Sequence, residues 1–129
     1  MGDRANFGIK HRNGHTIFVY GHWAGLDMLM RFANAIKRVE TAGRIGDEPY
    51  ATRIIISDLV GEDWSQDLSW GITIDYFADN EHKVPVYDID NDTVTLYDAD
   101  WKSTTLGNKI VEFSSEEFIS KYAKSKIGV

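Results

Sequence analysis

Asn13-Gly14 sits between two runs of alternating polarity, residues 4–11 and 15–22, and this constrains the chain more than any other feature. A two-residue type I′ turn needs positive φ at both central positions, and Asn-Gly supplies it at little cost. The pair predicts a β-hairpin at the start of the chain, and with it an antiparallel sheet. If these two residues form the turn, Arg12 faces His15, Lys10 faces Ile17, Gly8 faces Val19, Asn6 faces Gly21 and Arg4 faces Trp23. Alternation then gives Phe7, Ile9, Phe18 and Tyr20 one apolar face. A mixed face takes Arg4, Asn6, Gly8, Lys10, Arg12, His15, Ile17, Val19, Gly21 and Trp23.

The periodicity changes beyond Trp23. Leu26, Leu29, Met30, Ala33 and Ile36 recur at helical spacing, with Met28, Phe32, Ala35 and Val39 as an adjoining stripe. This predicts a helix over 25–42, ended by Gly43. Asp47-Glu48-Pro49 combines a capping residue with a first-turn proline and predicts a second helix to Leu59 or Val60. The β-branched run Ile54-Ile55-Ile56 makes a strand its competitor. Residues 69–77 alternate and predict a strand. A second hairpin over 84–89 and 93–98 turns at Asn91-Asp92, setting Ile89 opposite Val94 and Tyr87 opposite Leu96. A short strand over Lys109 to Phe113 follows. Ser114 with Glu117 is a capping box, and Phe113 with Phe118 a hydrophobic staple, so a last helix begins there.

The predicted order is ββααβββ(β)α. It describes an α+β domain with an antiparallel sheet of five to six strands and helices packed on one face. The expected core is Phe7, Ile9, Phe18, Leu29, Ala33, Ile36, Ile72, Ile74, Val94 and Leu96. The other sheet face is left for water, a ligand or another subunit. Ile17, Val19 and Trp23 on that face predict a homo-oligomer, most simply a two-fold dimer.

Composition narrows the function classes. No linker, repeat or low-complexity tract divides the 129 residues, so one domain over 1–129 is expected. Hydrophobic residues at 43% and charged residues at 26% exclude a disordered chain. No apolar run approaches the ~18 residues of a membrane span, and the start does not read as a secretion signal. Cysteine is absent, which excludes disulfides and thiolate chemistry. A cytoplasmic location is expected. The net charge of −6 is unevenly spread: residues 1–53 carry eight Lys/Arg against five Asp/Glu, and the remainder carries six against fifteen. Duplex DNA is not an expected partner for so acidic a chain, although its first part has basic residues for a small anion.

Few motifs carry chemistry. His11 and His15 flank a turn without a third ligand near them in sequence, so no metal is expected there. Asp88-Ile89-Asp90-Asn91-Asp92 invites a calcium loop, but Thr93 and Ala99 stand where Gly and Glu are required, and turn preference explains the acids. No phosphate loop, nucleophile elbow or dinucleotide fingerprint occurs, so no cofactor is expected and the chain leans away from an enzyme, with catalysis by scattered His and Asp that meet in space left open. His22-Trp23 precedes Gly25 and a helix start, where free backbone N–H groups attract anions and Trp can stack on a ring. The plainer alternative makes Trp23 a sheet-edge packing residue and His22 a backbone partner.

The opening Met-Gly-Asp-Arg-Ala-Asn and the segment Phe18-Val19-Tyr20-Gly21-His22-Trp23-Ala24-Gly25 resemble a family of small bacterial and phage proteins. That family carries an aromatic-x-His-Trp-Gly-Gly segment before its first helix; Ala24 stands where its pattern tends to have Gly. The likeness extends loosely to Tyr50–Ile55 and to the strand around Trp70-Gly71-Ile72. It implies a phage or bacterial accessory protein and transfers no catalytic residue. The leading expectation is a protein that sequesters a small anionic, nucleotide-like ligand, in a phage context against host defence. The expected site is Arg4, Asn6, Lys10, Arg12, His15, His22 and Trp23. Two alternatives stand beside it. One is an acidic interaction module or nucleic-acid mimic that meets a host protein through residues 54–129. The other is a small hydrolase of phosphorylated substrates with His22 as general base.

Overall fold

The computed structural model describes residues 2–123. Strands β1 (Ala5–Lys10) and β2 (Thr16–Gly21) lead into helices α1 (Met28–Thr41) and α2 (Glu48–Val60) and a 3₁₀ turn at Gly61–Ser65. Four strands follow, β3 (Trp70–Ile74), β4 (Val84–Asp88), β5 (Thr93–Tyr97) and β6 (Lys109–Ser114), and then α3 (Ser115–Tyr122). They form one six-stranded sheet in the order β3-β2-β1-β4-β5-β6. The fold is α+β, with a mostly antiparallel sheet and helices packed on it. One junction differs from a purely antiparallel arrangement: β1 and β4 run parallel, with Gly8, Ile9 and Lys10 beside Val86, Tyr87 and Asp88. Two antiparallel three-stranded halves thus meet at a parallel seam. Gly8 is required there, because a Cβ would lie 2.8 Å from a Val86 methyl.

The first hairpin is one residue out of the expected register. Ala5 faces Gly21, Phe7 faces Val19, Gly8 faces Phe18 and Ile9 faces Ile17. His11 N–H donates to His15 O at 2.9 Å and Gly14 N–H to His11 O at 3.0 Å, so three residues, Arg12-Asn13-Gly14, form the loop. Of these only Gly14 has positive φ, at 91°. That matches a type I turn closed by a left-handed glycine, not the two-residue type I′ turn that Asn-Gly suggests. The slip exchanges the faces of β2. Val19 is buried beside Phe7 and Ile9 beneath the helices, and Ile17 faces the same way. Phe18 lies on the opposite face.

Phe7, Phe32 and Phe118 bring the sheet, α1 and α3 together, with ring centroids 5.4 and 6.2 Å apart. Each buried phenylalanine contributes about 1.5–3 kcal/mol. Ala33, Ile36, Val94 and Leu96 are core as expected, and Leu29 packs at its margin. Ile72 and Ile74 are not core, at 56% and 60% exposed, because β3 is an edge strand. The second hairpin is out of register by two residues: Tyr87 faces Val94 and Pro85 faces Leu96. An even shift keeps its faces, so Tyr87, Ile89, Val94 and Leu96 still line the helix side.

The reverse face of the sheet is not bare. Phe18, Val84 and Val86 pack with Phe77, whose ring centroid is 5.1 Å from that of Phe18. Residues 75–83 and 98–108 supply this cover, and Phe77 N–H bonds Thr104 O at 2.8 Å to join them. Local signals set the helix ends. Asp47 accepts Tyr50 N–H ahead of Pro49, and Ser114 and Glu117 form the reciprocal capping box. The Phe113 and Phe118 ring centroids are 5.8 Å apart, as a staple requires. Among the described residues, no helix is long and apolar enough to cross a membrane.

Candidate functional site

The sequence-selected residues divide between the two ends of the sheet. Arg4, Asn6, His22 and Trp23 lie where β1 begins and β2 ends; Lys10, Arg12 and His15 lie at the hairpin turn. Six strand steps separate Arg4 from Lys10, roughly 20 Å at the usual rise. No small ligand touches both groups.

At the hairpin end each cation meets a carboxylate. Lys10 Nζ lies 3.9 Å from Asp88, and Arg12 Nε donates to Asp90 at 3.0 Å. Arg12 also donates to Gly46 O at 2.6 Å, and its backbone N–H to Glu48. His15 Nδ1 contacts Asp75 at 2.7 Å, and the same carboxylate accepts Thr16 N–H at 2.9 Å. These two bonds, the Thr16 amide first, hold the Asp75 carboxyl below the usual carboxylate range. His11 Nε2 pairs with the Thr52 hydroxyl at 2.8 Å. The network fastens the turn to α2 and to the loop between β4 and β5.

The opposite end gathers chain from three places. Asp3 N–H donates to His22 O and Gly25 N–H to Asp3 O, both at 2.8 Å. Asp3 Oδ1 lies 2.6 Å from His82 Nε2. Glu81 Oε1 accepts both the backbone N–H and Nε of Arg4 at 2.9 Å, and Glu81 N–H returns a bond to Arg4 O. The Arg4 bonds, backbone first, keep the Glu81 carboxyl below its usual range. His22 Nδ1 is 2.8 Å from the Tyr20 hydroxyl, and the His22 and Trp23 rings meet edge-on at 5.0 Å. Burial, followed by the Asp79 charge, pushes the Tyr20 phenol up. Gly25 makes this packing feasible, since a Cβ there would stand 2.1 Å from His82 Nε2 and 2.4 Å from Asp3 Oδ1.

A cleft of about 670 Å³ opens beside this cluster. Leu29, Leu96 and Tyr122 give it apolar walls; His82, Lys83 and Asp98 give it polar ones. The first turn of α1 lines it too. Asp27 does not cap that turn, because its carboxylate bonds Arg31 Nε at 2.6 Å. Lys83 makes no ion pair among the described residues. A neighbouring cavity of about 410 Å³ shares Glu81 and Ala99 and adds Arg4, Asn80 and Trp101. Asn6 is fully buried under the loop before β4: its Nδ2 donates to Ala78 O and Asn80 Oδ1, and its Oδ1 has no partner among the described residues. The described residues contain no group of three or more His, Asp or Glu placed to hold a metal.

Sequence reasoning missed Asp3, Glu81, His82 and Lys83. The last three lie in a loop without periodicity, and Asp3 meets His82 across 79 positions. Gly25 was the one local hint of a close approach. No family model, curated protein or solved structure matches the chain.

Proposed function

We propose that the chain binds and sequesters a small anionic, nucleotide-like ligand in the cleft between the start of α1 and the loop before β4. One observation carries the reading: Lys83, a cation with no ion pair among the described residues, and a helix start without a side-chain cap border the same cleft of about 670 Å³. That volume lies within the usual range for small-molecule sites. First-turn N–H groups and a lysine are suited to a phosphate. The remaining acids have clear roles. Asp27 and Glu81 are neutralised by Arg31 and Arg4, and Asp98 offers an acceptor to an amino group on a ring. Leu29, Leu96 and Tyr122 bury the ring's faces. The hairpin cations are a weaker anion site, because each already has a carboxylate. The resemblance to small phage and bacterial proteins suggests a context: withholding a nucleotide signal from host defence, in the host cytoplasm.

A second reading follows from the His82–Asp3 pair. A carboxylate that orients an imidazole at a cleft rim is suited to proton transfer, as in a hydrolase of phosphorylated substrates. His22 is less free for this, since Tyr20 holds its Nδ1.

Calorimetric titration with a panel of nucleoside mono- and diphosphates tests both. Lys83→Ala should weaken binding by about 1–3 kcal/mol, as expected for loss of a charge-assisted bond. The Lys10→Ala/Arg12→Ala pair should bind like the parent. Equal binding by Lys83→Ala, or selective loss in the hairpin pair, moves the site to the hairpin. Recovery of the nucleotide intact supports sequestration; its conversion, abolished by His82→Gln, supports the hydrolase.

A further inference from the structure

Of the eleven large hydrophobic residues left exposed among the described residues, five fall within residues 64–76: Trp64, Leu68, Ile72, Ile74 and Tyr76. This stretch contains β3, one of the two sheet edges. The other edge, β6, is guarded by the Lys109–Glu112 pair and by an irregularity opposite Leu96 and Tyr97. Charges and bulges of that kind discourage strand addition. β3 reads Trp-Gly-Ile-Thr-Ile and has no charge, proline or bulge.

Its free hydrogen-bonding groups can be located. Asp75 N–H donates to Thr16 O, and His22 N–H donates to Ser69 O. Ser69 and Asp75 therefore bond toward β2, and so do Gly71 and Thr73 between them by strand alternation. Trp70, Ile72 and Ile74 turn their N–H and C=O groups outward. Ser69 and Asp75 have positive φ, at 88° and 68°, which bends the chain away at both ends and limits the edge to these five residues.

We infer that this edge pairs with the same edge of a second copy, antiparallel about a two-fold axis at Ile72. The register sets Ile72 against Ile72 and Trp70 against Ile74 of the second copy, so outward groups meet outward groups at every pair. The exposed isoleucines of both copies then cover each other. Charge favours this orientation over a parallel one. Glu62, Asp63 and Asp67 precede the strand. Parallel pairing would set the two acidic segments side by side, whereas antiparallel pairing sends them to opposite ends and sets Asp75 against Ser69 rather than another carboxylate. Two sheets become one of twelve strands. The inference is independent of the cleft.

The absence of cysteine makes the test direct. In the proposed register the two Ile72 Cα atoms lie about 5.5 Å apart, within disulfide reach. Ile72→Cys should form a disulfide dimer under mild oxidation, whereas Ile110→Cys on the β6 edge should not. In light scattering at tens of micromolar the parent should show twice the chain mass, and Ile72→Lys the chain mass with an unchanged circular dichroism spectrum. A monomeric parent, or equal cross-linking of the two cysteine variants, overturns the inference. A dimer that survives Ile72→Lys places the interface elsewhere and overturns it too.

Discussion

The two hairpins that flank the parallel seam close by different chemistry. The first has a three-residue loop shaped by backbone: Gly14 takes a φ of 91° and His11 and His15 bond across the base. The second has four loop residues, 89–92, and is pinned by a side chain. The buried Tyr87 hydroxyl donates to Asp92 Oδ1 at 2.7 Å, and Asp92, itself at φ 55°, accepts Ser115 N–H from α3. The first hairpin thus depends on a turn that must have an odd number of residues. The second depends on a core contact that reaches into its loop. Where side chains alternate with period two, loop parity decides which residues are buried. In the first hairpin that choice separates Val19 and Ile17 from Phe18 and Tyr20.

The most disruptive way to probe the comparison is to hollow the face that parity gave to Phe18. Phe18→Ala should lose about 3–5 kcal/mol in chemical denaturation, as large core truncations do. A loss below about 1 kcal/mol would show that the Phe18–Phe77 cluster contributes little. The pin of the second hairpin is next. Tyr87→Phe leaves the Asp92 carboxylate without its donor and should cost about 1–2 kcal/mol, measured in the same way; a neutral result would make the turn backbone sufficient. Gly14→Ala should cost about 1 kcal/mol. The position has open space around it, so strain at φ 91° is the whole effect. If thermal unfolding of Gly14→Ala matches the parent, the left-handed turn is not what fixes the first register.

The smallest effect is titration, and it separates the hairpins by sign. Asp75 has a lowered folded value, so its contribution is full above the ordinary carboxylate range and is lost as pH falls through that lower value. The protection of the Thr16 amide, relative to an unstructured amide at the same pH, should fall in acid, and Asp75→Asn should remove that dependence. Tyr87 is raised, by burial first and then by its bond to Asp92. Its contribution is full below the ordinary tyrosine value of about 10 and declines above it, because the unfolded chain ionises there first. Alkaline unfolding of Tyr87→Phe should therefore be less steep than that of the parent.

Much of the fold was legible because its signals are local. The Ser114–Glu117 box, Asp47 ahead of Pro49 and the stripes of α1 each act within a few residues. The registers were less legible. Asn13-Gly14 suits both a two-residue turn and the last two places of a three-residue loop, and packing of Val19 against Phe7 selects the latter. The β1–β4 seam left no local trace, since Gly8 and Val86 meet only through tertiary structure. The site was split for a similar reason. Period two tells which face Arg4 and Lys10 share, but not that carboxylates distant in sequence, Glu81 in a loop and Asp88 at the end of β4, wait beside them.

The seam also sets an order of events for the folding chain. The β1–β2 hairpin and the β4–β5–β6 half can assemble from neighbouring residues, and β3 reaches β2 across about 50 residues. Joining the two halves closes a longer loop of about 75 residues, which costs about 4 kcal/mol of chain entropy beyond a constant. Sheets completed by such distant contacts form slowly. Until β4 arrives, the inner side of β1 is itself an unpaired edge. In a crowded solution the β4–β5–β6 half of another molecule can take that place, with residues 75–83 as the connecting hinge. Refolding at high concentration should thus trap intertwined pairs that have exchanged halves, a route to assembly distinct from meeting along β3.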